Sequence, residues 1–160
     1  MALRLAILGA TGHIGRSLLR HMMGDKHFDI HAYARRPDAV RNDLAMAGSL
    51  SVAISHTDDF GDAPFDTVIN CIGAGDPARV SDMGAGLFRI TENFDNRVLD
   101  CIATYPDALY INMSSGAVYG TSFDQSPIDN SVLSRRVNHV EPAEWYGIAK
   151  RNAEAKHRAH

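Results

Sequence analysis

The stretch LGATGHIGR, Leu8 to Arg16, places glycines at 9, 12 and 15 directly behind an apolar run and directly ahead of a helix-like pattern. A sharp turn from strand into helix demands a residue that tolerates unusual backbone angles, and a diphosphate can approach the chain only where no side chain intervenes. Gly9, Gly12 and Gly15 meet those needs, and Thr11, His13 and Ile14 supply the backbone between them. The helix expected to open near His13 presents unpaired N–H groups and the positive end of its dipole to an anion. Three glycines also occur in ordinary strand-to-helix turns. The preceding strand and the following amphipathic helix are the context in which this spacing predicts a dinucleotide-binding turn.

Outward from that turn, short apolar runs alternate with longer segments of helical period. The runs are Leu3–Leu8, Phe28–Ala34, Leu50–Ile54, Asp66–Ile72 and Ala108–Met113. Their nearly continuous apolar character suits strands covered on both faces. Ile14, Leu18, Leu19 and Met22 recur at helical spacing before the stop signal Gly24, and Leu87, Ile90, Phe94, Val98 and Ile102 do so before Pro106. This β-α-β-α order predicts an α/β fold, a doubly wound parallel sheet of order 3-2-1-4-5 with helices on both faces. The polar, turn-rich stretch Gly120 to Pro142 reads as a long functional loop rather than a domain boundary.

The chain has 160 residues, 45% of them hydrophobic, and a formal charge of −3, which suits one domain without a global basic field. Nucleic acid and anionic membrane surfaces are therefore not expected partners. No segment reaches the roughly 20 apolar residues of a spanning helix, and Met1 to Leu8 has no signal-peptide pattern, so a cytoplasmic protein is expected. Cys71 and Cys101 sit in apolar surroundings without a second thiol nearby, as reduced core side chains do. The eight histidines show no metal-ligand spacing, and no metal is expected.

Two features refine the ligand. The second strand ends in ARRPD, with Arg35 and Arg36 where a carboxylate would bond an adenine ribose. Arginines there favour the extra phosphate of NADP, with NAD the alternative. Solvated arginines at a strand end are the bland reading, and Arg16 is another candidate for the phosphate. Tyr146 and Lys150 in EWYGIAK are four apart and share one helical face. A nearby ammonium favours the phenolate, so the pair predicts a proton-exchanging tyrosine with a lowered pKa. By itself a tyrosine and a lysine on a surface helix is the commoner outcome.

With GATGHIG, SSGAVYG (Ser114–Gly120) and the Tyr146/Lys150 pair in this order, the chain resembles the extended and atypical branches of the short-chain dehydrogenase/reductase superfamily, the NAD(P)-dependent epimerase/dehydratase-like proteins. That resemblance implies that Ser115, four residues before Tyr119, is the hydroxyl that orients substrate, with Ser114 its neighbour. It implies that Lys150 also holds the nicotinamide ribose, that Asp58 or Asp59 contacts adenine, and that Cys71, Ile72 and Gly73 of NCIGAG, with Gly75, pass along the cofactor. Asn93, on the crossover helix between the fourth and fifth strands, falls near a proton-relaying asparagine, although Asn96 and Arg97 depart from the usual neighbours.

The implied activity is hydride transfer in a sugar-nucleotide epimerase, dehydratase or reductase, with a small-molecule substrate such as a nucleotide sugar. The alternative is a non-catalytic NAD(P)-binding sensor, or a fragment that binds cofactor and is inert. The resemblance spans the N-terminal half to two-thirds of such enzymes, so residues 1–160 are expected to be a Rossmann domain cut off after the helix of Tyr146 and Lys150. That expectation carries two others: apolar surface left open beside the fifth strand and on the last helix, and a homodimer formed through that helix and the one carrying Asn93.

Overall fold

Apolar runs that lie in the middle of a parallel sheet must be covered on both sides, and the computed structural model shows how this chain does it. It describes residues 1–48, 52–61, 63–74, 80, 82–119 and 142–160. The strands are β1 (Leu3–Leu8), β2 (Phe28–Ala34), β3 (Ala53–His56), β4 (Thr67–Asn70) and β5 (Leu109–Asn112), and the helices are α1 (His13–Met22), α2 (Pro37–Met46), α3 (Ala85–Thr104) and α4 (Trp145–Ala159). The sheet has the expected order β3-β2-β1-β4-β5, all parallel. The chain is therefore a Rossmann-type α/β fold.

Contacts divide the chain into two compact units, Met1–Ile72 with Phe94–Met113, and Gly73–Asn93 with Ser114–His160. In the first unit the alternation of β1 sorts its side chains. Leu5 and Ile7 pack with Leu19 of α1 and Val40 and Leu44 of α2, while Ala6 and Leu8 pack with Tyr33, Val68, and Val98 and Cys101 of α3. Each fully buried leucine contributes about 1.5–3 kcal/mol relative to exposure, so helices on both faces follow from the strand alternation. Cys101 is buried and Cys71 half-buried, and neither is in a disulfide among the described residues.

Three boundaries differ from the sequence pattern. β3 runs from Ala53 to His56 rather than ending at Ile54, because polar Ser55 is accepted through a 2.8 Å hydrogen bond to His31 on β2. α2 has a proline in its first turn and buries only Val40 and Leu44, too few apolar positions to announce it. The β3–β4 connection carries a 3₁₀ turn, Thr57–Asp59, and no α-helix among the described residues. On β5, Leu109 is 57% and Ile111 37% exposed.

In the second unit, the first half of α3 buries Leu87 and Thr91, and α4 buries Gly147, Ala149, Lys150 and Ala153. Contrary to expectation, α4 leaves no large apolar side chain exposed among the described residues. Its exposed positions are Asn152, Ala155 and Arg158 and the residues that follow.

Candidate functional site

In the first unit the Gly9 turn is shaped by what glycine permits. Gly9 has φ +80°, and a Cβ there would lie 3.0 Å from the Cys71 carbonyl carbon and 3.1 Å from the Ile72 nitrogen. A Cβ at Gly15 would lie 2.5 Å from the Gly9 oxygen, so α1 packs too closely on the turn for any side chain. Gly12 closes the turn by donating its N–H to Gly9 O at 2.9 Å, and Arg16 N–H returns to Gly12 O at 2.9 Å. Helical geometry leaves the N–H groups of His13, Ile14 and Gly15 without intrahelical acceptors. No side chain caps this end and no acid occupies the first turn. Those three amides beside a turn kept clear of side chains fit a diphosphate. Thr11 is half-buried, and Gly12, His13 and Ile14 are exposed.

Arg35 and Arg36 close β2 exposed, and neither side chain has a hydrogen bond or ion pair among the described residues. Arg16, by contrast, is 3.8 Å from the Asp43 carboxylate. Asp59 is engaged locally: its carboxylate accepts the His56 N–H at 3.2 Å, within a capping box that closes the 3₁₀ turn. The same turn is held from α3 by Arg97, whose guanidinium donates to the carbonyls of Thr57 at 3.3 Å, Asp58 at 2.9 Å and Phe60. Cys71 donates its N–H to Leu8 O at 3.0 Å, and Ile72 donates to the Asn70 side chain.

The second unit gathers Gly73, Ser115, Tyr146 and Lys150. The Ser115 hydroxyl accepts the Ala117 N–H at 3.2 Å and hydrogen-bonds the Tyr146 phenol. Lys150 is 2% exposed, with Nζ 6.0 Å from the Tyr146 ring centre. A Cβ at Gly73 would meet Lys150 Nζ at 3.4 Å and the Tyr146 oxygen at 3.6 Å, so glycine keeps the space over both groups open. The arrangement is fixed from behind. A Cβ at Gly147 would lie 2.1 Å from Ala117 O, Arg151 donates to Val118 O at 2.6 Å, and Ser114 donates to Glu154.

Burial pushes the Tyr146 phenol above its ordinary value, with the Ser115 hydrogen bond a smaller opposing influence. This corrects the expectation of a lowered value: removing the phenol from water disfavours its anion more than its hydrogen bond favours it.

Asn93 is not brought to this cluster. It is exposed, without a side-chain hydrogen bond among the described residues, while the buried face of α3 carries Thr91 and Asp95. Tyr119 is also exposed. Gly75, and the Gly120–Pro142 loop except for Pro142, lie outside the described residues. Among the described residues no group of three or more His, Cys, Asp or Glu could hold a metal ion, and no helix is long and apolar enough to cross a membrane. The sequence reading gave no role to Asp95 or Tyr110, and it had Asn70 only as the start of NCIGAG and Arg97 only as a departure from the family pattern; together they brace the loops after β3 and β4. Asn70 alone carries a signal, its polarity at the end of an apolar run.

A family model described as the NAD dependent epimerase/dehydratase family matches residues 5–160. Comparison with curated proteins finds no match. Similar solved structures include the UDP-Glc/GlcNAc 4-epimerase of Campylobacter jejuni (TM-score 0.73, 15% identity, 99% of this chain and 49% of that one). Also similar are the UDP-glucose 4-epimerase of Bifidobacterium longum in complex with NAD+ and UDP (0.73, 18%, 98% and 48%) and the dTDP-glucose 4,6-dehydratase of Bacillus anthracis in complex with NAD (0.70, 12%, 97% and 49%). The chain thus spans about half the length of these structures.

Proposed function

The chain belongs to the NAD dependent epimerase/dehydratase family, and from that premise we propose that residues 1–160 form the cofactor-binding Rossmann portion of an NADP-linked enzyme acting on a nucleotide sugar. The observation that carries this reading is the cluster of Ser115, Tyr146 and Lys150 beneath a glycine-cleared space at Gly73. A nicotinamide cofactor, when bound, supplies reversible hydride exchange at a carbinol carbon. The other roles fall to this chain's own residues.

In the first unit, His13, Ile14 and Gly15 hold the diphosphate with backbone amides, Gly9, Thr11 and Gly12 form the turn that lets it approach, and Cys71 and Ile72 line the neighbouring loop. Arg35 and Arg36, exposed and without a side-chain hydrogen bond or ion pair among the described residues, take the adenosine phosphate that distinguishes NADP, while Asp59 faces the adenine. In the second unit, Lys150 holds the ribose, Ser115 hydrogen-bonds the reacting oxygen, and Tyr146 exchanges its proton. The raised Tyr146 pKa keeps the phenol protonated at neutral pH, which suits it as the acid that protonates a developing alkoxide. A homodimer through α3 and α4 belongs to the same reading.

The experiment is fluorescence titration with NADPH and NADH, followed by addition of UDP-glucose or dTDP-glucose. NADPH is expected to bind more tightly, and Arg35→Ala with Arg36→Ala to remove the difference. Equal affinities untouched by those substitutions would overturn the choice of NADP. Hydride transfer to or from a nucleotide sugar that survives Tyr146→Phe would overturn the proton donor. Tight binding with no transfer from any nucleotide sugar would favour the second reading, a cofactor-binding protein without turnover.

A further inference from the structure

The first unit contains a buried polar relay that meets the sequence motifs only at Asn70, the first residue of NCIGAG. Asn70, the last residue of β4, is 2% exposed and Asp95 of α3 is 1% exposed, an expensive placement unless both are hydrogen-bonded. They meet at Tyr110 of β5. The Tyr110 hydroxyl donates to Asp95 Oδ1 at 2.9 Å and accepts from Asn70 Nδ2 at 3.0 Å. Asn70 Oδ1 then accepts the Ile72 N–H at 3.0 Å.

The order of donors matters. The Tyr110 hydroxyl gives its single hydrogen to Asp95 Oδ1, so the phenol oxygen is left to receive the amide nitrogen of Asn70. This fixes which way the Asn70 amide faces and turns its carbonyl to the Ile72 N–H. Burial pushes the Tyr110 phenol far above its ordinary value, so it stays a donor over the whole working pH range. The relay ends at the wall of the glycine turn, since the Ile72 nitrogen that Asn70 orients is the atom a Cβ at Gly9 would meet at 3.1 Å.

We propose that Asn70, clamped by Tyr110 and Asp95, is a positioning residue for cofactor binding: it sets the Cys71–Ile72 backbone against the Gly9 turn. The inference rests on the dinucleotide-binding reading of that turn. α3 thereby governs the loop after β4 through Asp95, as it governs the loop after β3 through Arg97.

The test uses the 160-residue chain, with Tyr110→Phe as the relay-breaking variant and Leu44→Val in the opposite core as a destabilised control that leaves the relay intact. Tyr110→Phe/Asp95→Asn removes the stranded charge and serves if the single variant folds poorly. NMR-detected exchange at the Ile72 amide should accelerate about tenfold more in the relay variants than in the control, and NADPH affinity should fall about tenfold, the equivalent of one hydrogen bond. A general loss of packing would instead move all three variants in proportion to their stability. If the wild type binds no dinucleotide, the cofactor reading fails and takes the proposal with it. If the wild type binds NADPH and the relay variants match it in affinity and in Ile72 exchange, the positioning role alone is overturned.

Discussion

The glycine turn after β1 and the cluster around Tyr146 solve the same problem, placing functional groups accurately, by opposite means. The turn is made almost wholly of backbone from one contiguous stretch, and its shape is enforced by side chains that cannot be there, at Gly9 and Gly15. The cluster is made of side chains from two separated segments, Ser115 and α4, and its shape is enforced by packing behind it, at Gly147 on Ala117 and Arg151 on Val118. A backbone site fails most completely at its glycines, whereas a side-chain site fails also through the elements that carry it.

The sharpest way to break that comparison is chemical. Tyr146→Phe removes one oxygen, and turnover of a nucleotide sugar should fall about 10²–10⁴-fold while NADPH affinity holds. Steady-state rates and fluorescence titration check the two halves. Loss of affinity as large as loss of turnover would mean that the phenol supports binding rather than proton transfer.

Steric substitutions come next. Gly15→Ala and Gly147→Ala should each cost about 1–3 kcal/mol in urea unfolding, because both new methyl groups meet backbone oxygens, which yield less readily than flexible side-chain ends. Their functional effects should separate, Gly15→Ala abolishing NADPH binding and Gly147→Ala sparing it. Identical functional profiles would erase the distinction between the two regions.

Arg97→Ala tests the brace on the β3 loop. It strands three backbone carbonyls, and affinity for the adenine end, read with ADP-ribose, should fall by about threefold to tenfold. An unchanged affinity would confine Arg97 to stability.

The smallest expected effect concerns pH. Desolvation holds the His31 pKa below its ordinary value, against opposing influences from Asp29 and Asp59. Below pH about 6.5 the unfolded chain therefore takes up a proton more readily than the folded one. Stability should decline as pH falls from about 6.5 through the lower folded value, and His31→Gln should flatten that limb in urea melts.

Much of this was legible because it is written in backbone terms. The spacing of Gly9, Gly12 and Gly15, the continuous apolar run of Leu5 to Leu8 and the helical recurrence from Leu87 to Ile102 each constrain the chain locally, and the sheet order followed from them. The α2 helix was less legible, since two buried residues a turn apart are too weak a period. His56, which caps the adjacent 3₁₀ turn, and Ser55, whose polarity is satisfied by His31 far off in sequence, hid the end of β3. The relay that joins Asn70, Asp95 and Tyr110 was invisible because contacts across two strands and a helix leave no periodic trace. Asn93 illustrates the converse. It lies near a familiar pattern, yet its helical phase sends it to solvent while Asp95, two positions on, turns inward.

The account stands most directly on whether a dinucleotide meets the amides at the start of α1. Adding NADPH to the isotopically labelled chain and following amide resonances tests this residue by residue. The account predicts large, saturable shifts at His13, Ile14 and Gly15, with smaller ones at Ile72 and at the side chains of Arg35 and Arg36. Saturable shifts that leave those three amides unmoved, or no shifts at all, would contradict it.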